Sequence, residues 1–283
     1  TSLTLRSDDG RPGVAYLAHV GDANGGHAEV RYAAAQVPVP TSSADWQTWV
    51  VDTAPIPVPD PANPEIYPLP AGLGLFIESA RDPRNQAPVV VYYERTAGDL
   101  KISRFDPQTG QFATPKVLDG TMGDDGWSPT VVVDDQGTAR VAYVDATSDD
   151  LKYIADPADS AAPPLPEIID DGYRIVGQTV DGLPKPEFHF VGDDAGIVLP
   201  SGNEPYVVYQ DATTQELLLA QRNSDGTWTR ESIAGATMPW PGAYGFFASD
   251  AMAGTNIVMS TWVVDQPTDD NWVEVFAKPT GFL

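Results

Sequence analysis

The chain of 283 residues is 42% apolar and 20% charged, with 25 Gly and 27 Pro, the make-up of a folded, turn-dense protein and not of a disordered or collagen-like one. Its 40 acidic against 16 basic residues give a formal charge of −24, which repels phosphate backbones and anionic lipid over roughly 10 Å and argues against nucleic-acid binding. With no cysteine, disulfides, thiolate metal sites, cysteine nucleophiles and iron–sulfur clusters are excluded, and no apolar run approaches the ~18 residues that membrane insertion requires.

Thr1 to Gly10 reads as a strand and a turn, so any export signal is expected upstream of this chain. A second strand follows at Val14-Ala15-Tyr16, and a fourth at Trp46 to Asp52, before a Pro-rich connection over 53–72. Val90-Val91-Tyr92-Tyr93-Glu94 repeats the second strand after a turn lengthened around Asp82 to Asn85. Residues 130–145 superpose on 3–18 without a gap, with Gly137 in the place of Gly10 and Val141-Ala142-Tyr143 in that of Val14-Ala15-Tyr16. Leu151 to Ala155 is the third strand of that copy, and a stretch rich in Gly, Asp and Pro over 171–195 reads as a connection. A further copy runs through Val207 to Asp211, Leu217 to Ala220 and Trp228 to Ile233, and a weaker one through Ile257 to Asp265.

Four short antiparallel strands per unit, repeated every 50–75 residues or so, are the signature of β-propeller blades, because one such sheet cannot bury both faces alone. The expected fold is an all-β, five-bladed propeller in one domain, with blades at about 1–57, 67–125, 126–189, 190–245 and 246–283. The last lacks an obvious fourth strand, leaving an open sheet edge.

The pattern S-L-x-x-D-x-x-G-x-P-x-V-A-Y-x-D, a Leu-Lys-Tyr-like third strand, then Trp and an acidic turn, is matched best by Ser128 to Ala155 and Ser2 to Tyr16. It resembles the propeller-type repeats of secreted or surface proteins of bacteria, myxobacteria among them; the copies at 67–125 and 246–283 depart from it in strand one. The resemblance implies a propeller in an extracellular or cell-surface setting, and transfers no catalytic residue.

Propeller loops between strands two and three share a face with those from strand four to the next strand one. The two-to-three turns repeat a pair of carboxylates: Glu94 and Asp99, Asp145 and Asp150, Asp211 and Glu216, Asp265 and Asp270. Asp145, Asp149 and Asp150, matched in spacing by Asp265, Asp269 and Asp270, are the candidate Ca²⁺ ligands, because a hard cation with several oxygen ligands relieves the repulsion between such acids. The competing reading is that the first acid of each pair caps its own turn. On the four-to-one connections, Trp127 beside Asp124 and Asp125, and Trp240 with Tyr244, are candidate sugar-binding residues, since a ring covers a C–H face while acids accept hydroxyl protons. Alternatively these rings plug the core.

No nucleophile elbow or phosphate loop is present, and no singular acid stands out in a first strand. Sequence thus favours a non-catalytic extracellular binding or adhesion propeller with a glycan ligand. The alternatives are a glycoside hydrolase or lyase using two face-loop carboxylates, and a structural subunit of an extracellular assembly paired through the open edge.

Overall fold

The computed structural model describes residues 1–21, 26–55, 72–120, 123–162, 165–200, 204–234, 243–253, 256–265 and 270–279; for Pro55 and within 243–272 the backbone alone is described. Among the described residues the regular structure is almost entirely strand, the one helical element being a 3₁₀ turn at Ser43–Asp45. No helix among them is long and apolar enough to cross a membrane.

The first sheet is formed by β1 (Ser2–Leu5), β2 (Pro12–Val20), β3 (His27–Ala35) and β4 (Trp46–Pro55), in that order. The second contains β5 (Leu73–Arg81), β6 (Pro88–Glu94), β7 (Asp99–Asp106), β8 (Gln111–Phe112) and β9 (Lys116–Asp119), with both β8 and β9 paired to β7. The third runs β10 (Asp125–Val133), β11 (Ala139–Asp145), β12 (Asp150–Asp156) and β13 (Glu167–Asp170). A separate hairpin, β14 (Tyr173–Gln178) with β15 (Pro184–Phe188), precedes the fourth sheet. That sheet runs β16 (Val191–Val198), β17 (Tyr206–Asp211), β18 (Glu216–Arg222) and β19 (Trp228–Ala234). The fifth has three strands, β20 (Ala243–Ala253), β21 (Asn256–Asp265) and β22 (Asp270–Pro279).

By contacts the chain divides into two compact units, Thr1–Ala139 with Asp156–Pro164, and Arg140–Ala155 with Leu165–Leu283. In the first, β5 lies against β1, β2 and β3, and β10 lies against β5, β6 and β7. In the second, β20 lies against β16, β17 and β18. Five blade-type meanders, with β5, β10 and β20 packed across the sheets before them, make this an all-β protein of β-propeller architecture. The second strands explain the repeated Val-Val-Tyr run. Every residue of β6 is buried, because sheets cover both faces, and a strand covered on both faces reads as continuously apolar.

Two recurring devices join the blades. Tyr92 and Tyr209 occupy equivalent places in β6 and β17, and each donates its hydroxyl to an aspartate of the fourth strand of the blade before: Tyr92 to Asp52 at 2.6 Å, Tyr209 to Asp170 at 2.7 Å. Burial, reinforced by the adjoining carboxylate, pushes both phenols upward, so they remain donors. The second device is a glycine bulge in the first strand. Gly74, Gly126 and Gly192 take φ of 75°, 104° and 96°. A Cβ there would lie 2.8 Å from Val30, 2.9 Å from Leu100 and 2.8 Å from Leu151, residues at equivalent positions in the preceding third strands. Only glycine allows that backbone approach.

The stretch 171–195, expected as a bare connection, contains the β14–β15 hairpin and the opening residues of β16. Its Gly, Asp and Pro content masked a hairpin whose apolar residues face outward, with Ile175 52%, Leu183 63% and Phe188 76% exposed. The fifth sheet opens at Ala243, ahead of the expected boundary at 246.

Candidate functional site

The bulge that brings Gly126 onto Leu100 also sets the conformation of the next two residues. Ser128 takes a φ of 44°, and Trp127, between the two irregular residues, is left 37% exposed. The equivalent bulge in β5 leaves Phe76 37% exposed. The two rings lie 5.8 Å apart, inclined by 32°, and Tyr93 of β6 packs at 6.2 Å from Phe76 and 6.0 Å from Trp127. The Tyr93 hydroxyl donates to Asp124. Burial, with the adjacent Asp124 carboxylate, pushes the Tyr93 phenol up to about 12, so it stays protonated at neutral pH and orients the carboxylate edge.

Asp124 and Trp127 are therefore brought together as expected, with Phe76 and Tyr93 completing the face. Asp125 has a different place: it is 2% exposed, and its amide donates to the Gly98 carbonyl oxygen at 2.9 Å. That bond ties the β6–β7 turn to the β9–β10 connection, putting a two-to-three turn and a four-to-one connection side by side. Trp240 lies outside the described residues, and for Tyr244 only the backbone is described, in β20 opposite Val264.

The repeated turn acids cap their turns. Glu94 accepts the Thr96 amide at 2.9 Å, Asp145 accepts Thr147 at 2.9 Å, and Asp211 accepts Thr213 and Thr214 at 3.1 Å each. Each turn closes with a left-handed residue, Gly98, Asp149 or Gln215. Asp149 is exposed in that role, and Asp145 pairs instead with Lys152 at 2.7 Å. Burial pushes the Asp145 carboxyl up, but the Lys152 ammonium and the turn amides outweigh it and hold the group below the ordinary range. Asp150 moves the other way, raised by burial and by Asp145 and Asp171. Of the acids for which Ca²⁺ was expected, Asp145 already has Lys152 as its counter-charge. Among the described residues no three of His, Asp and Glu are grouped so as to hold a metal ion. Asp269 lies outside the described residues; Asp265 and Asp270 are partners in register at the β21–β22 turn, described by backbone alone.

The sequence reading named Asp125, Asp99 and Asp211 but missed Asp193 and Asp194, and it expected no singular acid in a first strand. First strands do carry them: β10 opens with Asp125, and β16 holds Asp193 and Asp194 at its bulge. Asp194 takes a φ of 50°, at the repeat position of Ser128, and burial together with Asp193 pushes its carboxyl up to about 6. In the first unit, Asp99 is paired in register with Glu94, and burial followed by the Glu94 charge raises it. In the second, His189 is 5% exposed and its Nδ1 lies 2.6 Å from Asp211 Oδ2. The repeated x-Gly-x-x sequence at 73–76, 125–128 and 191–194 was the available signal for the bulge residues.

No protein-family model and no curated protein matches the sequence. Similar solved structures are glycoside hydrolases. A family 43 β-1,3-galactosidase is 10% identical with a TM-score of 0.49, over 97% of this chain and 55% of that one. An α-L-arabinofuranosidase from Lactobacillus brevis is 12% identical with a TM-score of 0.47, over 97% of this chain and 89% of that one. An exo-β-1,3-galactanase from Phanerochaete chrysosporium is 14% identical with a TM-score of 0.43, over 72% of this chain and 45% of that one. This chain thus spans about half the length of the galactosidase and of the galactanase. Likeness at this level assigns no activity.

Proposed function

We propose that the chain takes a glycan on the face formed by Phe76 and Trp127, with Asp124 accepting sugar hydroxyls at its edge. The observation that carries this is the pair of half-exposed rings, backed by Tyr93 and flanked by a carboxylate that Tyr93 orients. Rings present an apolar plane to sugar C–H groups, and the carboxylate supplies directional acceptors. The repeat resemblance supports a secreted or surface setting for this binding. Trp127→Ala is expected to lower affinity for the best glycan at least about tenfold, the equivalent of about 1.4 kcal/mol. The fold should survive, since the ring is only partly covered; wild-type glycan retention by both Trp127→Ala and Phe76→Ala would remove the platform.

Cleavage of the bound glycan is the second reading, and the Glu94–Asp99 pair favours it over plain adhesion. A glycosidase uses one carboxyl that keeps its proton and one that is ionised. Asp99, whose carboxyl burial and the Glu94 charge raise, is the candidate for the first role. Arabinan, xylan and β-1,3-galactan form the substrate panel, assayed by release of reducing ends. The expected rate declines on the alkaline side as Asp99 loses its proton, and Asp99→Asn abolishes turnover while leaving retention intact. Asp194→Asn, in the second unit, is assayed alongside, because burial and Asp193 push its carboxyl up to about 6. Retention without release on every substrate refutes cleavage and leaves a binding protein.

A further inference from the structure

The one-to-two turns and three-to-four connections lie at the opposite end of the strands from the platform. There the first unit contains a cavity of about 240 Å³, whose walls include Tyr32, Trp49, Phe105, Arg6, Arg11 and Arg81. Arg6 grips Asp8 through Nε and Nη2 at 2.9 and 2.6 Å, and Arg11 reaches Asp9 at 2.7 Å, so both rim arginines are neutralised locally. Arg81 is not. Its Nη1 donates to the Gln86 carbonyl oxygen at 2.9 Å, while Nε and Nη2 are shut off from solvent without an acceptor.

Nε and Nη2 form the side-on fork with which a guanidinium binds both oxygens of one carboxylate. Elsewhere in this chain that fork is filled from within. Arg84 places it on Asp82 at 2.9 and 2.6 Å, and Arg222 on Glu167 at 2.8 and 2.9 Å. In a chain of formal charge −24, Arg81 has a buried fork with no carboxylate on it, which is costly unless something supplies the acceptors. Gly13 lets the two side chains close in, for a Cβ there would lie 1.9 Å from the Tyr32 hydroxyl and 2.6 Å from Arg81 Nη2.

We infer that this cavity is a second binding site, for a small organic carboxylate whose apolar body packs on Tyr32, Trp49 and Phe105 while its two oxygens take the Arg81 fork. Aromatic walls favour a flat apolar body, and the single fork matches a planar two-oxygen anion better than a phosphate, which needs donors on more sides. The volume suits a ring of benzene size with its carboxylate, since a cavity of about 150 Å³ already accepts benzene. The fork is closed off beside the Tyr32 hydroxyl, and a turn of the guanidinium about its last torsions brings it to the ligand.

Calorimetric titration of the full chain with benzoate, benzyl alcohol and inorganic phosphate tests this. Benzoate is expected to bind at one saturable site, at least tenfold more tightly than either of the others, and Arg81→Met is expected to abolish the preference. Equal binding of benzoate and benzyl alcohol, phosphate matching benzoate, or unchanged benzoate binding in Arg81→Met each overturns the assignment. Should Arg81→Met fail to fold, the Arg81 Nε–H nuclear magnetic resonance signal of the wild-type chain decides. It must shift with benzoate and stay still with benzyl alcohol; a stationary signal at benzoate saturation overturns the site.

Discussion

Asp170→Asn is expected to destabilise the second unit by about 3–5 kcal/mol, the cost of breaking a buried ion pair from one side. Asp170 is 1% exposed. Arg174 reaches both of its oxygens at 2.8 Å, the Tyr209 hydroxyl donates to it at 2.7 Å, the Gly172 amide donates at 3.0 Å, and Arg230 makes a further contact. An amide side chain carries no charge for the two guanidinium groups and offers only one acceptor oxygen. Burial pushes the Asp170 carboxyl up, yet Arg174, Tyr209 and Arg230 together hold it below the ordinary value. A group depressed in the folded state contributes its stability above the unfolded value of about 3.9 and loses it as pH falls through the folded one. Urea unfolding at pH 7 and at about pH 3 should therefore show the variant's deficit shrinking in acid. A deficit under about 1 kcal/mol at pH 7 would mean that the network is solvated rather than integral.

Gly126→Ala is expected to cost about 3 kcal/mol and to weaken glycan retention as well, because one residue sets both the blade contact and the Trp127 ring. A methyl group at a φ of 104° is strained, and it would sit 2.9 Å from the Leu100 Cα and Cβ, atoms that cannot swing aside. Gly10→Ala is the control: its φ is 71°, nothing lies within 4 Å of the added carbon, and a cost of about 1 kcal/mol is expected from conformation alone. Thermal unfolding of the two variants separates strain from collision. Equal losses would show that the Leu100 contact yields.

The strands easiest to read were those buried on both faces. Val90 to Glu94, Val141 to Asp145 and Val207 to Asp211 announce themselves because stacking removes the usual polar alternation, and each falls within an observed second strand. First strands were harder. In β5 and β16 a left-handed glycine shifts the register, and β10 holds another at Gly126, so the alternation breaks where the site residues stand. Trp127 and Asp124 were legible as sequence neighbours. Phe76 and Tyr93 join them only through the packing of β5, β6 and β10, which no local pattern encodes. The turn acids were legible as a repeat, but their role was not, because the lysine that pairs with Asp145 comes from the following strand.

The β14–β15 hairpin leaves and rejoins the scaffold at one point. The His189 amide donates to the Gly172 carbonyl oxygen at 2.9 Å, and Tyr173 and Phe188 meet edge to face just above, at 5.5 Å. Whatever length of chain is carried beyond that clasp, its two ends arrive at the same separation. The clasp is thus a socket: residues 175–187, beyond the Arg174 that holds Asp170, can be exchanged for another loop, a tag or a recognition peptide while the strands on either side keep their register. Variation between relatives of this protein can accumulate there at little cost to the blades.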